Sequence, residues 1–407
     1  MAELLPGRSW PRRVLALALG LSALLAGQLA EAAVLELIPE FSVRGELSDN
    51  VFFDTTEEET DWLTTLSPGL TLERRSERML LQGTARLAVQ KYLDNTDLDA
   101  VDQQYLGRLT FRWTPRLSLN SEVEYQRDSQ PDRDLEESGQ VLDAERRDRR
   151  RFGCGGDYAI SERFRMSLNY IFQQIRYPED PASDSDSHYV MLGYSYELSE
   201  RLQGLINFNY SHSEFDGSRL DNGALEGGLA YAFSERWNLQ ALLGVRHTRS
   251  RYEELVPVVV FPFIFWVKQD AESTDEGWTA QLSSSWRDEQ SRVAVSLQRE
   301  VRLASGRSGS TELTALIGTA SHRLTDRLSL TLSGGYYINQ ADSNEFAGEA
   351  TDERTLRLTP GLSYRWDEDL SVSLGYSYTR LDDREDDEVT SRNLVFIRID
   401  YRYPWEF

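Results

Sequence analysis

Few side chains in this sequence could do acid–base or nucleophilic chemistry. Four histidines, His188, His212, His247 and His322, and one cysteine, Cys154, are the whole imidazole and thiol supply of 407 residues. A hydrolase needs its nucleophile and base on one face and within hydrogen-bond reach. His212 lies between Ser211 and Ser213, but adjacent strand residues point to opposite faces. None of the four histidines has a serine two positions away, so a His and Ser spaced by one residue along a single strand are missing. A single cysteine excludes a disulfide framework and a CxxC site, and Cys154, on an expected strand, reads as a small packing residue. No acidic spacing matches a DxDxDG calcium loop. These residues predict no enzyme, no metal and no cofactor.

Charge and patterning narrow the class further. Against 44 Lys and Arg stand 67 Asp and Glu, a formal charge of -23, which opposes nucleic-acid binding because phosphate neutralisation needs a basic face. The mean hydropathy is -0.51, yet 19 Tyr and 9 Trp do not suit disorder. At the start, Arg8, Arg12 and Arg13 precede an apolar run from Val14 to Leu25, and Ala30-Glu31-Ala32 follows. That order predicts a secretory signal peptide over 1–32 and a mature domain over 33–407.

Beyond residue 40 the pattern is alternation. Leu328, Leu330, Leu332, Gly334, Tyr336 and Ile338 share one face, and Ser329, Thr331, Ser333, Gly335, Tyr337 and Asn339 the other; Leu202–Tyr210 and Leu370–Tyr378 repeat the design. Each is a strand with one apolar and one polar side. Between strands recurs a tight polar step marked by Ser76, Thr114, Ser161, Ser199, Ser234, Asp288, Thr325 and Asp367, at intervals of 38, 47, 38, 35, 54, 37 and 42. Its residues favour local side-chain to backbone bonds. Nine hairpins, about 18 strands, fill the mature chain. Connections at the other end are longer and acidic, as in Asp54–Asp61 and Asp382–Glu388.

Short turns at one end and long loops at the other predict an all-β transmembrane antiparallel up-and-down barrel in a bacterial outer membrane, with turns and both termini periplasmic. Trp113, Tyr158, Tyr196, Tyr231, Trp237, Trp286, Tyr364 and Trp366 suit an interfacial girdle. A secreted sandwich or solenoid, the alternative, would turn a polar face outward. The last strand keeps Val395, Ile397, Ile399, Tyr401, Tyr403, Trp405 and Phe407 on one face. Its ending on Tyr403, Trp405 and Phe407 resembles the terminal signature of bacterial outer-membrane barrels, which implies recognition by the barrel-assembly machinery.

Eighteen strands leave an aqueous channel unless loops fill it. Parity assigns Arg44, Glu46, Arg86, Arg108, Arg112, Glu122, Glu124, Arg165, Asn207, Asn209, Arg357, Arg365, Arg398 and Arg402 to the lumen. Such a wall solvates a polar solute without strong choice of charge sign, and many of these groups are expected to pair with one another. The 54-residue interval holds Val256–Val267, in which Val258, Phe261, Phe263, Phe265 and Trp266 could fold inward as a plug, extend the hairpin and pack on other loops, or dock a partner. The 47-residue interval holds Arg146, Arg147, Arg149, Arg150 and Arg151. They read as a solvated loop, with contact to anionic glycan or lipid phosphate as the alternative.

Val43–Phe52 (VRGELSDNVF) followed by Leu66–Leu70 (LSPGL) resembles the start of the type 2 beta-barrel porins found with exopolysaccharide systems. The resemblance implies a passive conduit for secreted polysaccharide, acting as the membrane-spanning partner of a periplasmic polysaccharide export protein. The alternatives are a general or sugar-selective diffusion porin, and a structural or surface-binding barrel without transport.

Overall fold

Alternation leaves the backbone of each strand in need of neighbours, and the chain supplies two to every strand. The computed structural model describes residues 33–407 apart from 131–133, 137, 142–145, 216, 261–262, 304–309 and 343–349, and apart from the side chains of 182, 254–255, 258–260 and 264. The expected leader over 1–32 and Phe261 lie outside the described residues. The first strands are β1 (Val34–Ser48), β2 (Asp61–Arg75), β3 (Met79–Tyr92), β4 (Ala100–Thr114), β5 (Leu117–Asp128) and β6 (Arg147–Ala159). Next come β7 (Phe164–Arg176), β8 (Ser185–Glu197), β9 (Leu202–Phe215), β10 (Ser218–Ser234), β11 (Trp237–Val260) and β12 (Phe263–Arg287). The last are β13 (Ser291–Leu303), β14 (Ser310–Arg323), β15 (Leu328–Ala341), β16 (Thr351–Arg365), β17 (Leu370–Asp383) and β18 (Glu388–Arg402). Consecutive strands pair antiparallel, and β1 pairs β18 from Glu40 opposite Arg402 to Ser48 opposite Leu394. Trp405–Glu406 prolongs the last strand along Glu36 and Leu37. The sheet is a closed 18-stranded barrel.

The eight sequence markers all act as local caps. The Ser76 hydroxyl accepts from Met79 N–H at 3.2 Å, Thr114 from Leu117 at 3.0 Å, Ser161 from Phe164 at 3.1 Å and Ser199 from Leu202 at 3.1 Å. Ser234 accepts from Arg236 at 3.3 Å, Asp288 from Gln290 at 2.7 Å, Thr325 from Leu328 at 3.0 Å and Asp367 from Leu370 at 2.7 Å. Each bond satisfies an N–H that leaves the ladder at the turn.

Polarity is inverted relative to a water-soluble fold. Thr355, Asn339, Ser187 and Ser250 are fully buried inside, while Val123, Ile206, Leu229 and Leu374 are half exposed outside. The girdle residues Trp113, Tyr158, Tyr196, Tyr231, Trp237, Trp286, Tyr364 and Trp366 are all exposed on the outer surface. A closed ladder with an apolar exterior suits lipid, where no water satisfies a free backbone group.

The two long intervals are spent differently. The 47-residue interval contains a connection between Asp128 and Arg147 whose described residues turn at Asp134–Glu136, whereas the 54-residue interval goes into longer strands, 24 residues in β11 and 25 in β12. The apolar run is therefore hairpin and not plug: Val258 lies opposite Phe265 and Val260 opposite Phe263, and Phe263, Phe265 and Trp266 are exposed. Neighbouring strands stop short, since β10 last pairs β11 at Arg219 and Arg251. The run thus has no wall to fold against.

Turn chemistry gives a pH test. Bonds from Gln290 N–H and then Ser291 N–H hold the Asp288 carboxyl below its ordinary range. Its folded pKa is below the unfolded one, so the stabilisation is present at neutral pH and is lost as pH falls through the folded value. Asp288→Ala is expected to lower the thermal midpoint at pH 7, the gap to the parent closing below about pH 4. A gap unchanged down to pH 3 would show that the carboxylate contributes nothing.

Candidate functional site

The lumen is crossed by the loop between β5 and β6. Within it the Ser138 N–H donates to the Asp134 carbonyl at 2.9 Å and the Ser138 hydroxyl to the same oxygen at 3.1 Å, closing a turn. Arg147, the first residue of β6, is almost wholly buried and ties this turn to the wall. It meets Asp134 at 2.7 Å and Asp128 at 3.0 Å. Removing the guanidinium would leave two buried carboxylates without their counter-charge, a loss of about 3–5 kcal/mol for a buried pair.

The far side of the loop is seated on the opposite wall. Tyr337 Oη donates to the Glu136 carbonyl at 2.7 Å, Asn339 Nδ2 to the Ser138 carbonyl at 2.8 Å and Thr355 Oγ1 to the Gly139 carbonyl at 2.5 Å. Arg357 pairs with Glu136 at 3.1 Å. Leu135 is fully buried. Gly139 has a φ of 73°, and a Cβ there would lie 2.5 Å from Tyr337 Cβ. Only glycine both turns left-handed and lets the loop lie against that ring.

Of the cavities beside the loop, two touch its turn at Asp134, Glu136 and Ser138. One of about 420 Å³ is bounded by Arg147, Arg149 and Arg151 on β6 and by Glu226, Glu300 and Arg302 across from them. A second, of about 220 Å³, is bounded by Arg44, Glu46, Asp61, Glu136, Arg357 and Arg392. Three arginines at alternate positions of β6 thus face the lumen, where the sequence suggested a solvated loop. The reason is that Asp148 and Arg150 fill the other face of the same segment, so hydropathy does not alternate and only the pairing with β5 and β7 reveals a strand.

The strand register puts the parity-assigned residues on the lumen side. Arg44 and Glu46 border the smaller cavity, with Arg398 opposite Arg44 and Arg402 opposite Glu40. Cross-strand pairing occupies many of them: Arg86 meets Glu40 at 2.8 Å, Arg108 meets Glu122 at 2.8 Å, Gln104 donates to Glu124 at 3.1 Å and Asn209 to Glu226 at 3.2 Å. Asn207 lies opposite Glu226. Arg112, Arg165 and Arg365 sit near the short turns, opposite Ser118, Ala159 and Ser371 respectively.

The motif at Val43–Phe52 has a mechanical part. The Asn393 N–H and side-chain amide each donate to the Asp49 carboxylate at 2.7 Å, so Asp49 fastens the end of β1 to β18. The Trp62 ring lies 2.5 Å from where a Gly45 Cβ would stand. The histidines are in polar pairs: His188 with Tyr170 at 2.8 Å, His212 with Asp221 at 2.8 Å, His322 with Ser291 at 2.8 Å and His247 with Glu276 at 3.7 Å. Among the described residues no group of three or more His, Cys, Asp or Glu could hold a metal ion.

No protein-family model matches the chain, and no curated protein matches it. Among solved structures it is similar to OpdK of Pseudomonas aeruginosa with vanillate, at 12% identity over 91% of this chain and 99% of that one, TM-score 0.45. OccAB4 of Acinetobacter baumannii gives 10% identity over 92% and 99%, TM-score 0.46. A bacterial polysaccharide outer membrane secretin gives 10% over 90% and 98%, TM-score 0.36. Likeness at this level adds nothing to what the strand ladder itself establishes.

Gly139 offers a direct test of the loop. A left-handed φ costs a non-glycine residue about 1–2 kcal/mol, and the Tyr337 contact adds to that. Gly139→Val should therefore unseat the loop and leave the wall intact. In planar bilayers its single-channel conductance is expected to exceed the parent's, while heat-modified gel mobility still reports a folded barrel. Equal conductance would mean that the loop does not set the width.

Proposed function

We propose that this chain is a bacterial outer-membrane channel for polar, hydroxyl-rich solutes, with the short turns and both termini in the periplasm. The observation that carries the reading is the seating of Glu136, Ser138 and Gly139 across a polar lumen by bonds to Tyr337, Asn339, Thr355 and Arg357. The larger cavity beside it falls within the usual size range of small-molecule pockets. Its opposed Arg and Glu walls align a dipolar or hydroxylated solute without demanding one charge sign. Reconstituted protein should then conduct steadily in planar bilayers with no partner present and admit monosaccharides in liposome swelling. A barrel that stays silent even as Gly139→Val would instead be a structural or surface-binding wall.

A polysaccharide conduit is the finer reading, favoured by the residues Val43–Phe52 and Leu66–Leu70. Polymer passage would require the loop to leave its seat, with a periplasmic polysaccharide export protein as the partner that supplies the work. Deleting the gene should then remove surface polysaccharide while precursor synthesis continues; unchanged surface glycan rejects export and leaves the small-solute channel standing.

Tyr403, Trp405 and Phe407 are proposed as the signal read by the barrel-assembly machinery. The Phe407 N–H donates to the Leu35 carbonyl at 2.8 Å, so the same residue also helps close the barrel. Deleting Phe407 should reduce the folded fraction in the outer membrane in cells more than it reduces refolding yield in detergent. Equal losses in both settings would assign the residue to closure alone.

A further inference from the structure

The wall has a break where β12 leaves β13. The two strands pair only from Ala280 opposite Arg299 to Arg287 opposite Arg292. Above that, among the described residues β12 pairs only with β11, and β13 runs on with β14 as far as Leu303 opposite Ser310. From Arg287 to Ala280 the ladder climbs seven steps of about 3.4 Å at a tilt of about 40°, roughly 18 Å. The apolar band of such a barrel is about 25 Å tall, so the break opens at the level of the outer leaflet.

An unpaired strand edge is tolerated at that depth only where protein covers it or a water-filled cavity lies behind it. Both conditions are met here. Val301 and Leu303, which alternation would turn toward lipid along with Arg299, instead pack against Phe215, Leu220 and Ala341 inside the barrel, so the top of β13 leans inward. The larger cavity lies directly behind, with Thr279, Gln281 and Glu300 on its wall. Side chains bridge the gap in place of backbone bonds. Arg246 of β11 pairs with Asp275 of β12 and with Glu312 of β14 at 2.6 Å. Glu312 also pairs with Arg299 of β13, whose guanidinium lies 4.5 Å over the Trp278 ring of β12. The cavity itself is amphipathic: the β6 arginines face apolar Ile171, Ile175, Met191, Val301 and Leu303.

We propose that the seam between β12 and β13 is a lateral port, latched by Arg246, Glu312 and Arg299, through which an anionic amphipath passes between the outer leaflet and the lumen cavity. The arginines of β6 take the anionic head and the aliphatic side chains take the tail. Ion pairs can part and re-form without breaking a backbone ladder, which makes the latch reversible. The proposal rests on placing the barrel in a membrane and does not depend on the lumen passing sugars.

The test uses the full mature chain carrying Cys154→Ser, reconstituted in phosphatidylcholine vesicles that contain a diazirine-bearing stearate. After illumination, labelled residues are mapped by mass spectrometry. The port requires label on the lumen-facing residues Ile171, Ile175 or Met191, with lipid-facing Leu168 as the internal reference; label confined to Leu168 and its lipid-facing neighbours overturns it. Thr279→Cys with Glu300→Cys then staples the seam at the next step of the β12–β13 register, by disulfide or, where the sulfurs do not join, by a short bis-maleimide. Stapling should cut lumen labelling at least about tenfold, with reductant restoring it for the disulfide, and Glu312→Gln should raise it, since breaking a buried ion pair frees the strands. Undiminished labelling in the stapled protein rejects the seam as the route. Conductance recorded on the same preparation keeps the two ideas apart, because a conducting protein with an unlabelled lumen loses the port and keeps the channel.

Discussion

The structure depends on one constraint: within hydrocarbon each backbone N–H and C=O must find its partner in the protein. Eighteen strands meet it by closing on themselves, with β1 bonded to both β2 and β18. The places where the ladder stops need other partners. At the short turns a Ser, Thr or Asp side chain takes over the missing bonds, and at the closing seam Asp49 does so for Asn393. Mere hydrophobicity plays a smaller part than in a soluble fold, because the apolar exterior faces lipid and not a packed interior.

Closure creates the functional problem as well. A sheet of this many strands encloses more space than its inward side chains fill, and those side chains are polar because the outward ones are not. The described turn of the β5–β6 loop, Asp134 to Glu136 with Ser138 and Gly139, enters the space and satisfies wall groups that would otherwise face water, and Arg147 anchors it by the buried pairs with Asp128 and Asp134. The free width of the lumen is therefore a property of one loop and its seat, more than of the strand count.

Where β11 and β12 outgrow their neighbours the constraint is met differently. Above Arg251 and Ala280, among the described residues, the ribbon pairs only with itself, and charged side chains hold it to the wall. Backbone pairing makes a barrel rigid; a seam held by ion pairs is the part of it that can yield.

The strand count, the turn positions and the inward or outward direction of most side chains were legible in the sequence, because a period of two residues is a local property of extended backbone. Asp288 and Ser199 announced turns for the same reason: their bonds reach only two or three residues. The β6 arginines were obscured because charge on both faces erased the alternation, and the apolar run at Val256–Val267 left a plug, an extended hairpin and a docking surface all open because composition does not say how far a strand continues. Which loop enters the lumen was settled by contacts between Glu136 and Tyr337, or Gly139 and Thr355, about two hundred residues apart in the chain. The sequence by itself determined a barrel and which way its residues point. Only the tertiary structure decided what crosses the lumen and where the wall parts, because both follow from pairing between strands whose lengths and neighbours no local pattern records.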